Sequence, residues 1–270
     1  MKRIADLSFA GKKVLVDSNI LDLRCGNTSL NLALKRGLVD DLLSVDYELL
    51  ADSIQHMEDV RSFVDSNDCL FIPEVLTELG VLKDNVRKYH SYFKHILNFN
   101  STKFSNERSR DYFDCLNNLY VIYNSLKRLH GFLSNSRDSG DQDKTTYDRL
   151  LHVSRETSYL LEPLFNGKFS FANSSKLGHK LETDVKLAAR AFSYARNEDC
   201  VLFTADQGLI SLVERIPSII HQHGVHFKGL IPVNEINVYD SCSNRYSSVK
   251  TGLPSGPSPH ESVLERMAFG

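Results

Sequence analysis

Three short apolar runs constrain this chain more than any other feature. They are KVLVD (13–17), CLFIP (69–73) and CVLFT (200–204). Each is a short apolar run rich in β-branched or aromatic residues, which suits strands buried on both faces. Runs of that kind belong to parallel sheets covered on two sides. A fourth strand is expected within KGLIPVNEINVY (228–239). Helical patterns lie between them. Leu181, Val185, Ala188, Phe192 and Ala195 recur at spacings of four and three, one stripe of a helix. PEVLTEL opens on a proline suited to a first helical turn. Strands alternating with helices predict an α/β fold with a central parallel sheet.

Acids follow the strands. Asp17 ends the first, Glu78 lies about one turn into the helix after the second, Asp184 opens the Ala-rich helix, and Asp206 follows the third in LFTADQGL. In a parallel sheet the strand ends and the starts of the following helices gather at one edge. Four carboxylates from four segments are therefore expected to converge. Two unit charges ~4 Å apart repel by roughly 4 kcal/mol at an effective dielectric of 20, so such a group needs protons or cations. All-oxygen ligands select Mg²⁺ or Mn²⁺, and a pair of such ions can clamp a phosphodiester and activate water. Helix starts near Glu78 and Asp184 would add a positive dipole end. Ser18, Asn19 and Thr204 are small polar neighbours suited to orienting a carboxylate or a metal-bound water. Each acid also has a plainer reading. Asp17 and Asp184 could be helix caps, Asp206 a turn or cap residue, and Glu78 one surface residue of an amphipathic helix.

Taken together, VLVDSNILDL, IPEVLTELG, LETDVKLAARAF and VLFTADQGL resemble the four motifs of the PIN-domain nucleases, in the family's order. The resemblance implies a three-layer α/β/α fold around a parallel sheet and metal-dependent cleavage of RNA by an endoribonuclease. It carries over Asp17, Glu78, Asp184 and Asp206 as catalytic metal ligands, and Thr204 as the small hydroxyl residue two positions before the last acid. Glu182, two residues before Asp184, is a second candidate ligand. The motifs anchor residues 13–80 and 181–240. The interval between Glu78 and Asp184 is about twice that of a compact family member, so residues ~83–178 are expected to be a helical insertion in a PIN-like domain over 1–240. A Ser/Gly/Pro-rich tail, 241–270, follows. The alternative is a PIN-fold RNA-binding or assembly module with little catalysis, its insertion or tail offered to a protein partner. A dehalogenase-type phosphatase fits worse, because the second Asp it needs is replaced by Asn19.

The formal net charge is -2, so no global basic field marks nucleic acid as a partner; distribution must be read instead. From Asp40 to Asp68 nine acids face one Arg, on an apolar helical pattern. From Lys83 to Arg137 ten Lys or Arg face four acids, with a long helix marked by Leu116, Leu119, Tyr123, Leu126 and Leu133. Lys83, Arg87, Lys88 and Lys94, interleaved with Tyr89 and Tyr92, are expected to hold RNA through phosphate contacts and base stacking. The plainer reading is a solvated helical bundle. Five cysteines without a CxxC pair argue against a zinc site or a disulfide scaffold and fit a cytoplasmic chain. His221, His223 and His226 alternate as in a partly exposed strand. The N-terminus lacks a secretory core, and no run reaches the ~20 apolar residues of a membrane span.

Overall fold

The computed structural model describes residues 3–25, 28–100, 106–138, 144–161, 178–222, 234, 236–240 and 245–249. The fold is mixed α/β with a mostly parallel sheet, and eight α-helices occur among the described residues. The chain divides into two compact units, Met1–Ala10 with Val16–Ser139, and Gly11–Leu15 with Gly140–Gly270. The strands of the main sheet are β1 (Lys13–Val16), β4 (Asp68–Leu70), β5 (Cys200–Thr204), β6 (Ile236–Asp240) and β7 (Arg245–Val249); in the second unit their order is β1-β5-β6-β7, and β4 belongs to the first.

In the first unit Asp17 turns the chain out of β1 into a 3₁₀ turn, Ser18–Leu21. A two-stranded ribbon of β2 (Arg24–Cys25) and β3 (Thr28–Ser29) leads into α1 (Leu30–Arg36). Ser29 caps the start of α1, and Gly37 closes it in the left-handed region at φ 66°. The acidic stretch is two helices rather than one. α2 (Val39–Leu43) stops at Ser44, and Asp46 caps α3 (Tyr47–Ser66) by accepting from the Leu49 amide at 2.9 Å. Met57, Val60, Phe63 and Val64 of α3 are buried, as its apolar spacing requires.

The second strand is shorter than the CLFIP run suggested. β4 ends at Leu70, because Phe71 instead exchanges backbone hydrogen bonds with Ser136 and Asp138, at 3.0 Å each. Pro73 then opens α4 (Pro73–Asn100), which runs unbroken for 28 residues. α5 (Asn106–Leu133) returns against it. The expected insertion therefore has no separate beginning: Lys83 lies inside a helix that started at Pro73. Phe93 and Tyr112, ring centroids 5.6 Å apart, are part of the packed seam between α4 and α5, with Leu119, Ile122 and Leu126 also buried on α5.

In the second unit α6 (Lys144–Leu161) packs on α7 (Gly178–Tyr194) and on α8 (Gln207–Gln222). Side chains of α7 are described from Thr183 onward. All five residues of β5 are buried, as its apolar run demands. β6 runs parallel to β5, with Phe203 stacked on its register partner Tyr239 at 5.1 Å. β7 runs antiparallel to β6. It falls in the stretch read as a tail, and the remainder of that stretch lies outside the described residues. His221 belongs to the last turn of α8 rather than to a strand; His223 and His226 lie outside the described residues. No helix among the described residues is long and apolar enough to cross a membrane.

Candidate functional site

The first unit brings four of the expected residues together. Asp17 is 3% exposed and leaves β1 in an extended conformation that points its side chain back over the following turn. Its Oδ1 accepts from the Ser18 amide at 2.6 Å, and its Oδ2 accepts from the Asn19 amide group at 2.7 Å. The Ser18 hydroxyl lies 2.7 Å from Glu78 Oε2 and 3.3 Å from Asp17 Oδ1. A hydroxyl has one proton to donate, and the shorter distance assigns it to Glu78. One serine thus spans two carboxylates from motifs 60 residues apart. Asp17 is thus a cap of the 3₁₀ turn, the plainer reading of the sequence, and the same side chain lies in this cluster.

Two histidines that sequence reasoning passed over hold this cluster in place. His56 of α3 donates from Nε2 to the Ile20 carbonyl at 2.7 Å, pinning the turn that carries Ser18 and Asn19. His130 of α5 donates from Nε2 to the Leu76 carbonyl at 3.0 Å, two residues before Glu78. In both cases the acceptor is a carbonyl, which fixes the proton on Nε2. Neither residue lies within the four acid-bearing motifs, so no local signal ties it to the cluster.

The second unit holds the other expected acids. Asp184 is 6% exposed. α7 begins at Gly178, so Asp184 lies in the second helical turn and is not a cap. Glu78 likewise lies in the second turn of α4. The helix dipole acts mainly within the first turn, so the dipole contribution expected from both helix starts is not supplied there. The side chain of Glu182 lies outside the described residues. Thr204 is fully buried at the end of β5, and its Oγ1 accepts from the Asp206 amide at 2.9 Å. Asp206 Oδ1 then caps α8, accepting from the Gly208 and Leu209 amides at 2.8 and 3.3 Å. Asp240, register partner of Thr204 at the end of β6, accepts from Gln207 Nε2 at 2.9 Å. It is an acid ending an apolar strand, the same signal that singled out Asp17, and sequence reasoning missed it.

Among the described residues no group of three or more His, Cys, Asp or Glu side chains is gathered to hold a metal ion. The Asp17–Glu78 pair nevertheless has the donor chemistry of a hard-ion site, since Mg²⁺ is commonly held by one or two carboxylates with the remaining positions filled by water. Lys83, Arg87, Lys88 and Lys94 all lie on α4, where Arg87, Lys88 and Lys94 are exposed. Tyr89 is not available beside them: it is half-buried, with its hydroxyl toward Gly37. Comparison with family models, with curated proteins and with solved structures finds no match.

Proposed function

We propose that the chain is a PIN-like, metal-dependent endoribonuclease of the cytoplasm, using Mg²⁺ or Mn²⁺ with Asp17, Glu78, Asp184 and Asp206. The observation that carries the reading is the Ser18 bridge between Asp17 and Glu78, because it joins the first two motifs through their acids. Asn19 holds Asp17 in one orientation, Ser18 sets Glu78 against it, and Thr204 shapes the turn that presents Asp206. When bound, the ions would activate water and stabilise the leaving oxygen of a phosphodiester. The cations of α4 would hold the strand by its phosphates.

A second reading is favoured by one specific observation, the lack of a three-ligand group among the described residues. On it, the chain is an RNA-binding or assembly module with little catalysis. Cleavage of a labelled RNA with Mn²⁺ or Mg²⁺ separates the two. The nuclease reading expects cleavage by the wild type and none by Asp17→Asn, with RNA binding in EDTA kept by both. Full activity in Asp17→Asn would sink the assignment of the site. A wild type that binds RNA but cuts nothing with either ion would leave the module reading.

A further inference from the structure

The cationic face of α4 continues onto α5, and there it meets aromatic rings. At 3.6 residues per turn Lys83, Arg87 and Lys94 fall within about 40° of one another around the helix. Lys88 is turned away from them by roughly a quarter of a turn or more. His90 borders the Lys83–Arg87–Lys94 face; its pKa is lowered by burial and by the charge of Lys94. The ring of Tyr120, on α5, lies 5.6 Å from that of His90. Phe113 stands seven residues before Tyr120, two helical turns along the same face of α5. These rings are 54% and 56% exposed, although the seam between the helices is already filled by Phe93, Tyr112, Leu119 and Ile122. Core packing therefore does not account for them.

Charge selects the kind of partner. The acids near this face are already matched: Asp84 lies 3.8 Å from Lys83, and Asp114 lies 3.9 Å from Arg110. What the face presents is positive charge beside two exposed rings, seven residues and so about 10 Å apart along the helix at 1.5 Å per residue. A partner must bring negative charge at its backbone and flat groups that can lie on rings. Single-stranded RNA has both, whereas a duplex keeps its bases stacked on each other.

We propose that Phe113 and Tyr120 are stacking platforms for bases of single-stranded RNA whose phosphates follow Arg87 and Lys94. The proposal deepens the RNA side of the function proposed above but does not depend on cleavage. The test measures binding of the full chain, in EDTA, to a short unstructured RNA oligonucleotide and to its duplex, by fluorescence anisotropy at several salt concentrations. Leucine is the chosen replacement because it keeps apolar bulk at an exposed position and removes only the ring. Phe113→Leu and Tyr120→Leu should each weaken single-strand binding by about fivefold or more, the effect of one lost stacking contact, with the salt slope unchanged. The duplex should bind more weakly than the single strand and be insensitive to both substitutions. Variants that bind like the wild type, equal binding of duplex and single strand, or a wild type that binds no single strand would each overturn the proposal. Cleavage with Mn²⁺, assayed separately, keeps the two proposals apart. Cleavage with ring-independent binding would remove the platforms and keep the nuclease. Ring-dependent binding without cleavage would do the reverse.

Discussion

Asp17 shows how much one side chain can be asked to do. It caps a turn with Oδ1, is clasped by Asn19 through Oδ2, and shares a serine hydroxyl with Glu78. Asn is as good a cap as Asp, so Asp17→Asn should keep the turn while removing a charge that repels Glu78. Its melting temperature in EDTA should equal or exceed that of the wild type, and its cleavage of RNA should be lost. A marked drop in melting temperature would show that the charge itself stabilises the fold. The cysteines make a separate residue-scale case. Burial pushes the thiols of Cys25, Cys69 and Cys115 up to about 11, 12 and 12, and raises that of Cys200 as well. The thiolate is the reactive form, so these thiols should resist alkylation in the native state at pH 8. Because the unfolded chain ionises its thiols near pH 8.5 while the folded one holds them protonated, stability is full below that range and falls as pH rises through it. In a Cys242→Ser variant, thiol labelling should track unfolding; fast labelling of the native protein at pH 8 would contradict the burial.

At the scale of elements, α8 and α4 separate roles that a sequence lumps together. Asp206 caps α8 through Oδ1 and is also a candidate ligand. Asp206→Asn preserves the cap, whereas Asp206→Ala removes it and should cost about 1 kcal/mol of stability in chemical denaturation. Both should abolish cleavage, so the pair distinguishes capping from chemistry. On α4 the cations divide by helical angle. If RNA follows the face bordered by His90, replacing Arg87 and Lys94 with Gln should flatten the slope of log affinity against log salt by about 1.4, two single-strand phosphate contacts at about 0.7 each. Replacing Arg87 and Lys88 should flatten it by only about 0.7, since Lys88 lies off that face. Equal slopes for the two double variants would mean that the strand does not keep to one side of the helix.

For the whole molecule, the expected consequence is linkage. Anything that binds the native state alone stabilises it, by about 2.7 kcal/mol at a hundredfold excess over its dissociation constant. Mn²⁺ and Mg²⁺ should therefore raise the melting temperature of the wild type and do so much less for Asp184→Asn. A melting temperature that ignores both ions would remove the metal from the proposed function. The net charge of -2 gives no hint of the local imbalance that matters for RNA. In the first unit α2 and α3 carry seven acids against one Arg, whereas the stretch from Lys83 to Arg137 carries ten Lys or Arg against four acids, so a single chain carries both an acidic and a basic region.

What the sequence determined by itself was periodic and local. β1 and β5 were legible because two-sided burial writes an unbroken apolar run into adjacent positions, and α4 because the fixed φ of Pro73 suits a first helical turn, where its missing N–H costs no hydrogen bond. The capping residues were legible too, as alternatives to catalysis, since a cap needs only its next few neighbours. Tertiary structure decided the rest. β4 was cut short because Phe71 pairs with residues 136–138, and β7 exists because a Ser-rich segment is recruited to the edge of β6. Asp184 was read as a helix start and lies in a second turn, because a cap signal is worth only about 1 kcal/mol and the helix continues through it. His56, His130 and the rings of Phe113 and Tyr120 carried no local mark at all. The hydroxyl of Ser18 meets Glu78 across 60 residues, and which side chains meet over such a span depends on how helices pack, not on any spacing along the chain.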